Sequence, residues 1–218
     1  MLFKNIKEKR CVNKMIVRSD SLSVFLSDIS IDDADAIAKS ANSLDISQNF
    51  GSIESFPFPY TRKDAVALIE SATIGYATNS AYHMAIRNAE TKELLGMITL
   101  YDLDNNNKHC ELGYWIGNEH RNKGYASAGI ILGLYLGFEK LSLNKISSKV
   151  LDFNSVSIHI LEKLGFKKEG TLIDNYYIRN LRYDENGRFV SQQNGSFTNQ
   201  HIYAIFKKNY PKINAQSN

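Results

Sequence analysis

The chain has 218 residues, 43% of them apolar and 22% charged, with a net charge of +3. That length supports one sizeable core rather than two, and so small a positive charge argues against a nucleic-acid partner, which would call for a basic stripe. The longest uncharged apolar run, 125–138, falls short of the roughly 20 residues of a membrane-spanning helix, and no signal-peptide stretch opens the chain, so no membrane is expected. Two cysteines, Cys11 and Cys110, and five scattered histidines show no disulfide framework or metal spacing; reduced thiols, a cytoplasmic location and no metal follow as expectations.

The basic stretch "KNIKEKRCVNK" reads as a solvated arm over residues 1–20, with Met15 a second candidate start, because the ordered pattern begins near Ser21. A single domain over 21–210 and a tail over 211–218 complete the division. "LSVFLSDIS" reads as the first strand. "IDDADAIAKSANSL" has helical spacing, and Asp32, Asp33 and Asp35 in its first turn complement the helix dipole or, alternatively, meet a polycation. After the break "SFPFPY", Thr61 opens a second helix with Asp64 as its capping-box partner.

"YHMAIRN" and "ELLGMITLYDL" read as strands joined by the tight turn "AET", and "CELGYWIG" as the next strand after "DNNNKH". A helix over 124–141 is apolar nearly all round and therefore buried, with Gly129, Gly133 and Gly137 on one face inviting a close neighbour. "NKISSKVL" is a strand, "NSVSIHILEKL" a helix ended by Gly165 as a left-handed cap, and "GTLIDNYYIRN" and "HIYAIFKKNY" the closing strands. Between these two, "ENGR" and "QNGS" within 184–198 suggest two turns of an inserted hairpin.

The segment "HRNKGYA" falls between a strand and a helix. The first amides of a helix have no intrahelical partners, and with the helix dipole they form an anion site. Gly124 lets backbone approach the anion, and Arg121 and Lys123 supply charge at its rim. Taken alone, the pattern is equally that of a plain turn. It has the spacing neither of a dinucleotide fingerprint nor of a Walker loop.

The order of elements, with "FPFPYTRKDA", "ELGYWIGNEHRNKGYASAG", "DFNSVSIHILEKLGFKKEG" and "HIYAIF", resembles the GCN5-related N-acetyltransferase (GNAT) family, in its RimJ/RimL-like branch. The resemblance covers roughly Ser21 to Phe206. It implies an α+β fold with a mostly antiparallel sheet of six to seven strands and about four flanking helices. One parallel pair, "YWIG" beside "NKISSKVL", should splay to admit acetyl-CoA. Arg121, Gly124 and Ala126 match the family's acetyl-CoA signature, so the segment Arg121, Asn122, Lys123, Gly124, Tyr125 and Ala126 is expected at the pyrophosphate. By the same resemblance, the backbone of Trp115, Ile116 and Gly117 serves the pantetheine arm, and Asn154 and Ser157 lie close to the thioester.

The implied chemistry is acetyl transfer to a primary amine by direct attack. Glu111, opening the strand beside the thioester, is the candidate base through water, or else a surface glutamate. Ser157 is the candidate hydrogen-bond donor to the thiolate. Tyr114, Tyr176 and Tyr177 are tyrosines that either supply a proton or pack the sheet; His120 either contacts phosphate or is a loop histidine without a role, and His159 faces solvent or core on its helix. Phe56, Phe58 and Tyr60, with Tyr114 and Tyr176, are expected near the acceptor, although packing between the first two helices also explains the first three. A protein N-terminal α-amine, as on a ribosomal protein, is the first acceptor reading. A polyamine or aminoglycoside, which would need cleft carboxylates, is the second, and a non-catalytic acetyl-CoA-binding module the third. A homodimer is left open.

Overall fold

The structure, a computed structural model, describes residues 6–8, 15–50, 56–183 and 189–210. Its strands are β1 (Ile6–Glu8), β2 (Ile16–Ser19), β3 (Val24–Asp28), β4 (Tyr82–Asn88), β5 (Leu94–Asp104), β6 (His109–Ile116), β7 (Lys145–Leu151), β8 (Lys167–Tyr183) and β9 (Phe189–Phe206). The helices are α1 (Ala34–Ala41), α2 (Leu44–Asn49), α3 (Arg62–Thr78), α4 (Tyr125–Tyr135) and α5 (Ser155–Lys163). The strands form one sheet in the order β1-β2-β3-β4-β5-β6-β7-β9-β8. All neighbours are antiparallel except β6 and β7. The expected α+β fold with one parallel pair is therefore present.

The sheet is wider than six to seven strands because the ordered pattern begins upstream of Ser21. Val17 is fully buried and Met15 nearly so, which fixes β2 against β3. The basic composition around them hid this short alternation of buried and exposed residues. Cys11 lies outside the described residues. "QNGS" makes no turn: Gly195 pairs with Arg179 within the β8–β9 ladder, which runs on to Tyr183 opposite Phe189. The sequence between the last two strands thus lengthens one ribbon, with register shifts at Lys168/Gly170, Leu172/Tyr176 and Arg179/Leu181. The "ENGR" segment lies outside the described residues.

Alternation along the central strands divides the core. Leu112 and Ile116 of β6 join the cluster beneath α4 and α5, whereas Trp115 joins the one beneath α1 and α3. On the second face, Thr61 caps α3 as expected, with its N–H 2.8 Å and its hydroxyl 2.5 Å from Asp64 Oδ2. Two of the three acidic residues of the first helix, Asp33 and Asp35, are engaged within the protein. The Ser30 N–H donates to Asp33 Oδ2 at 2.9 Å, while Arg87 and Arg62 pair with Asp33 and Asp35 at 2.6 and 3.0 Å. The short helix α2 was not evident from the sequence pattern.

On the first face, α4 rests on the sheet through its glycines. A Cβ on Gly129 would lie 2.6 Å from Ile86 Cδ1, one on Gly133 2.5 Å from Ile98 Cδ1, and one on Gly137 2.5 Å from Ile146 Cδ1. To keep Gly137 in this row, the helix ends in a wide π turn over Leu136–Lys140, closed by Leu141 N–H to Leu136 O at 3.0 Å. The regular α-helix is accordingly shorter than the sequence spacing suggests.

Gly133→Ala should cost about 1–3 kcal/mol by overpacking, and Ile98→Val about 0.5–1.5 kcal/mol by leaving a gap. The pair should cost less than the sum, because the lost Cδ1 makes room for the added methyl. Urea unfolding of the four proteins checks this, and additive costs would mean that Gly133 does not seat α4 on Ile98.

Candidate active site

The parallel ladder between β6 and β7 is brief. Only His109, Cys110 and Glu111 pair with Lys145, Ile146 and Ser147, although β6 continues to Ile116 and β7 to Leu151. At the apex, the Ser147 hydroxyl donates to the Cys110 carbonyl at 3.2 Å. Beyond it the strands diverge, and the edge of β6 facing β7 carries main-chain donors and acceptors without a ladder partner. Such an edge suits an extended amide-bearing ligand. The other edge stays on β5, and the Gly117 N–H donates to Leu95 O at 2.9 Å.

At the far end of β6 the chain makes a 3-10 turn over Asn118–His120 and passes through left-handed Asn122 (φ 61°) and Gly124 (φ 77°) into α4. Nothing lies within 4 Å of where a Gly124 Cβ would be, so the chain is open on that side just where the first amides of α4 lack intrahelical partners. That open cradle fits a phosphate group. Both cations of the loop have partners within the protein. Arg121 turns back to α2, with Nη1 2.5 Å from Asp45 Oδ2 and Nε 3.3 Å from Ile116 O, while Lys123 Nζ reaches Glu119 O at 3.2 Å. Tyr125 and Ala126 are half-buried against the core. His120 Nε2 lies 3.6 Å from Glu93 Oε1, and His159 is exposed.

On the α5 side of the fork, Asn154 caps the helix and accepts the Ser157 N–H at 3.1 Å. This leaves the Ser157 hydroxyl beside Tyr114. The Tyr114 hydroxyl is buried with no aligned hydrogen-bond partner. Burial pushes its pKa up to about 12, against a smaller downward pull from the nearby Ser157 side chain. A buried, unpartnered hydroxyl at this point is an open donor for a ligand group.

Tyr114 also enters the wall of a cavity of about 490 Å³, together with Phe56, Tyr60, His83, Thr99, Tyr101 and Trp115. Phe56 stacks on Phe50 at 4.9 Å and meets Trp115 edge-on at 6.2 Å, so it both packs the helices and shapes the cavity. Phe58 does not line it, while Tyr176 on β8 is near enough to Tyr101 to help raise that phenol's pKa, chiefly an effect of burial and Glu111. Tyr177 is exposed and meets Phe197 edge-on at 5.1 Å. Burial likewise raises the Tyr60 phenol to about 12. Among the described residues, the only carboxylate in the wall is Asp64, which is held by the Thr61 cap.

Glu111 marks the apex of the fork. Its carboxylate accepts the Tyr101 hydroxyl at 3.0 Å and pairs with Lys149 Nζ at 2.5 Å. The sequence reading anticipated neither Lys149 nor His83. His83 shares the cavity wall, with Nδ1 3.1 Å from Thr99 Oγ1, and burial lowers its pKa. A lone histidine in an alternating strand gives no signal until its neighbours are known. Among the described residues, no group of three His, Cys, Asp or Glu is placed to hold a metal, and no helix is long and apolar enough to cross a membrane.

A sheet split at one parallel pair, with a glycine loop leading into a helix at one end and an aromatic cavity beside it, is a framework in keeping with an acyl transferase. The chain belongs to the acetyltransferase (GNAT) family, whose domain model matches residues 23–167. It is thus an N-acetyltransferase-type enzyme. It is 31% identical over 173 residues to the uncharacterized N-acetyltransferase YoaA of Bacillus subtilis (strain 168), covering 78% of this chain and 93% of that one. In fold it is similar to the spermidine N-acetyltransferase of Vibrio cholerae in complex with CoA and spermine, with TM-score 0.70 and 22% identity over 86% of this chain and 98% of that one. The ribosomal-protein-S5-alanine acetyltransferase of Vibrio fischeri is as similar, with TM-score 0.70 and 17% identity over 88% and 97%.

Gly124→Glu should place bulk and negative charge in the open cradle and lower acetyl-CoA affinity by at least about 100-fold. Isothermal calorimetry on the folded variant checks this; unchanged affinity would remove phosphate binding from the loop.

Proposed function

We propose that the protein transfers the acetyl group of acetyl-CoA to a protein N-terminal α-amine by direct attack in a ternary complex. The observation that carries the acceptor reading is the aromatic cavity, where the one carboxylate among the described lining residues, Asp64, is already bound at a helix cap. A polycation would call for free carboxylates there. An α-amine has a pKa of about 7.7–8.0, so much of it is neutral at pH 7 without a strong base. A polyamine is the second reading, favoured by the fold likeness to an enzyme holding CoA and spermine and by the Glu111 carboxylate at the apex.

In this reading the pantetheine arm pairs with the free edge of β6 around Trp115–Gly117, and the pyrophosphate occupies the loop from Arg121 to Ala126. A β6 amide polarises the thioester carbonyl. The amine attacks the carbonyl carbon, an N–C bond forms and the C–S bond breaks. With a pKa near 12, Tyr114 keeps its proton and hydrogen-bonds the departing thiolate together with Ser157. Because a thiol titrates near 8.5, the thiolate can leave as an anion and take its proton from solvent. Glu111 receives the proton released by the amine, through water, once its carboxylate is uncovered.

Ser157→Ala and Tyr114→Phe should each lower kcat about 10- to 100-fold, as for loss of one hydrogen bond to a charged group, with little change in KM for acetyl-CoA. Unchanged kcat in both would return Ser157 to capping and Tyr114 to packing. The decisive assay is thiol release from acetyl-CoA with peptides beginning in Ala or Ser, the same peptides N-blocked but carrying one lysine, spermidine, and an aminoglycoside. Turnover confined to free-amine peptides supports the first reading; turnover confined to spermidine or the aminoglycoside replaces it with the second.

The cavity also sets a pH dependence. His83 titrates below its ordinary 6.5 because it is buried, so it is neutral at pH 7 and becomes a cation only as pH falls through that lowered value. The KM for an amine acceptor should therefore rise on acidification below 6.5, and His83→Gln should flatten that rise. An identical rise in the variant would assign it to another group.

A further inference from the structure

Lys149 has an unusual place. It lies on β7 two residues past Ser147, the last residue of β7 paired with β6, and so on the diverging arm of the fork. Side chains alternate along this strand: Ile146, Ser148 and Val150 are buried, while Lys149 is exposed and points with Ser147 and Lys145 to the other face. That is the face of Tyr101 and the acceptor cavity. To reach Glu111 on β6 at 2.5 Å, the Lys149 side chain must cross the gap between the diverging strands close to the apex. The primary amine standing over the opening of the fork is therefore the protein's own. Glu111 Oε1 and the Tyr101 hydroxyl, which meets Oε2 at 3.0 Å, define where an amine docks, and Lys149 Nζ occupies that position.

We propose that Lys149 is a self-acetylation site, modified by acetyl-CoA bound in the same fork when no external amine displaces it. This rests on the acetyl-transfer reading given above. The Lys149 ammonium first gives one proton to the Glu111 carboxylate, which passes it to solvent. The neutral Nζ attacks the thioester carbonyl carbon; the N–C bond forms, the C–S bond breaks, and the second proton goes to the leaving thiolate. The products are one Nζ-acetyl amide, one CoA thiol and one released proton. The amide carries no charge and no longer pairs with Glu111, so the modification also uncovers that carboxylate. Lys145 is an internal control, since it lies on the same strand and face but within the paired part of the ladder, bound to Glu169 at 2.6 Å.

The test incubates the purified full chain with acetyl-CoA and no acceptor, then locates acetyl groups by peptide mass spectrometry. One acetyl group per chain on Lys149, with Lys145 unmodified, is the expected result. Lys149→Arg keeps a cation for Glu111 but removes the acylatable amine, and should lose that acetyl group while still binding acetyl-CoA by calorimetry. The Gly124→Glu variant should also stay unmodified, which separates transfer within the site from chemical acetylation in solution. Acetyl groups spread over surface lysines, or equal in wild type and Gly124→Glu, overturn the proposal. So does an unmodified Lys149 in protein that binds acetyl-CoA and turns over a peptide from the panel, and in that case the transfer reading stands. Failure to bind acetyl-CoA at all overturns the transfer reading, and self-acetylation with it.

Discussion

The distance between α4 and the sheet is set by three glycines, and most of the site depends on that distance. Each glycine costs a helix about 1 kcal/mol relative to alanine, so a row of three is maintained only by what it admits. Here it admits Ile86, Ile98 and Ile146, all buried, from three different strands. Two of those strands lie on the β6 side of the fork and one is β7 itself. The helix therefore bears on both arms, and narrowing the gap would drive isoleucine side chains into its backbone. The start of the same helix forms the open cradle at Gly124, so one packing contact fixes both the width of the opening and the position of its anion-type end.

In the proposed reading the fork works largely through main-chain groups, which explains why so few of its parts carry a chemical signature. A strand edge without a partner offers donors and acceptors whatever side chains it bears. Side chains enter at three points. The Tyr114–Ser157 pair lies on one side, the Glu111–Tyr101–Lys149 cluster closes the apex, and the aromatic cavity with His83 lies beside them. These environments differ in polarity. A hydroxyl kept protonated by burial suits hydrogen bonding to a developing anion, while a carboxylate touching both a phenol and an ammonium suits the handling of an amine.

Much of this was legible in the chain. The Thr61–Asp64 cap, the Gly165 helix end and the glycine row of α4 are local patterns, with causes lying within a few residues. The Gly124 loop could be located because it joins two apolar runs of opposite periodicity. Residues whose role comes from distant partners could not be read. Arg121 turns to Asp45 across 76 positions of sequence, and Lys149 reaches Glu111 across 38. β2 is a short strand whose burial depends on β3 beside it, and its basic flank reads as solvated. "QNGS" has the composition of a turn, but the long pairing of β8 with β9 overrides that preference.

The irregular register of the β8–β9 ribbon bears on how the molecule behaves at high concentration. β8 is the last strand of the sheet and is 17 residues long, with Ile173 71% exposed and, on its partner strand, Phe197 63% exposed. A straight edge of that length and apolarity would be a template onto which another strand could add. The shifts at Lys168/Gly170, Leu172/Tyr176 and Arg179/Leu181 divide the row of edge amides into short, mutually twisted runs. Each run is too short to hold an incoming strand in register, so the distortion that lengthens the ribbon also guards its edge against aggregation.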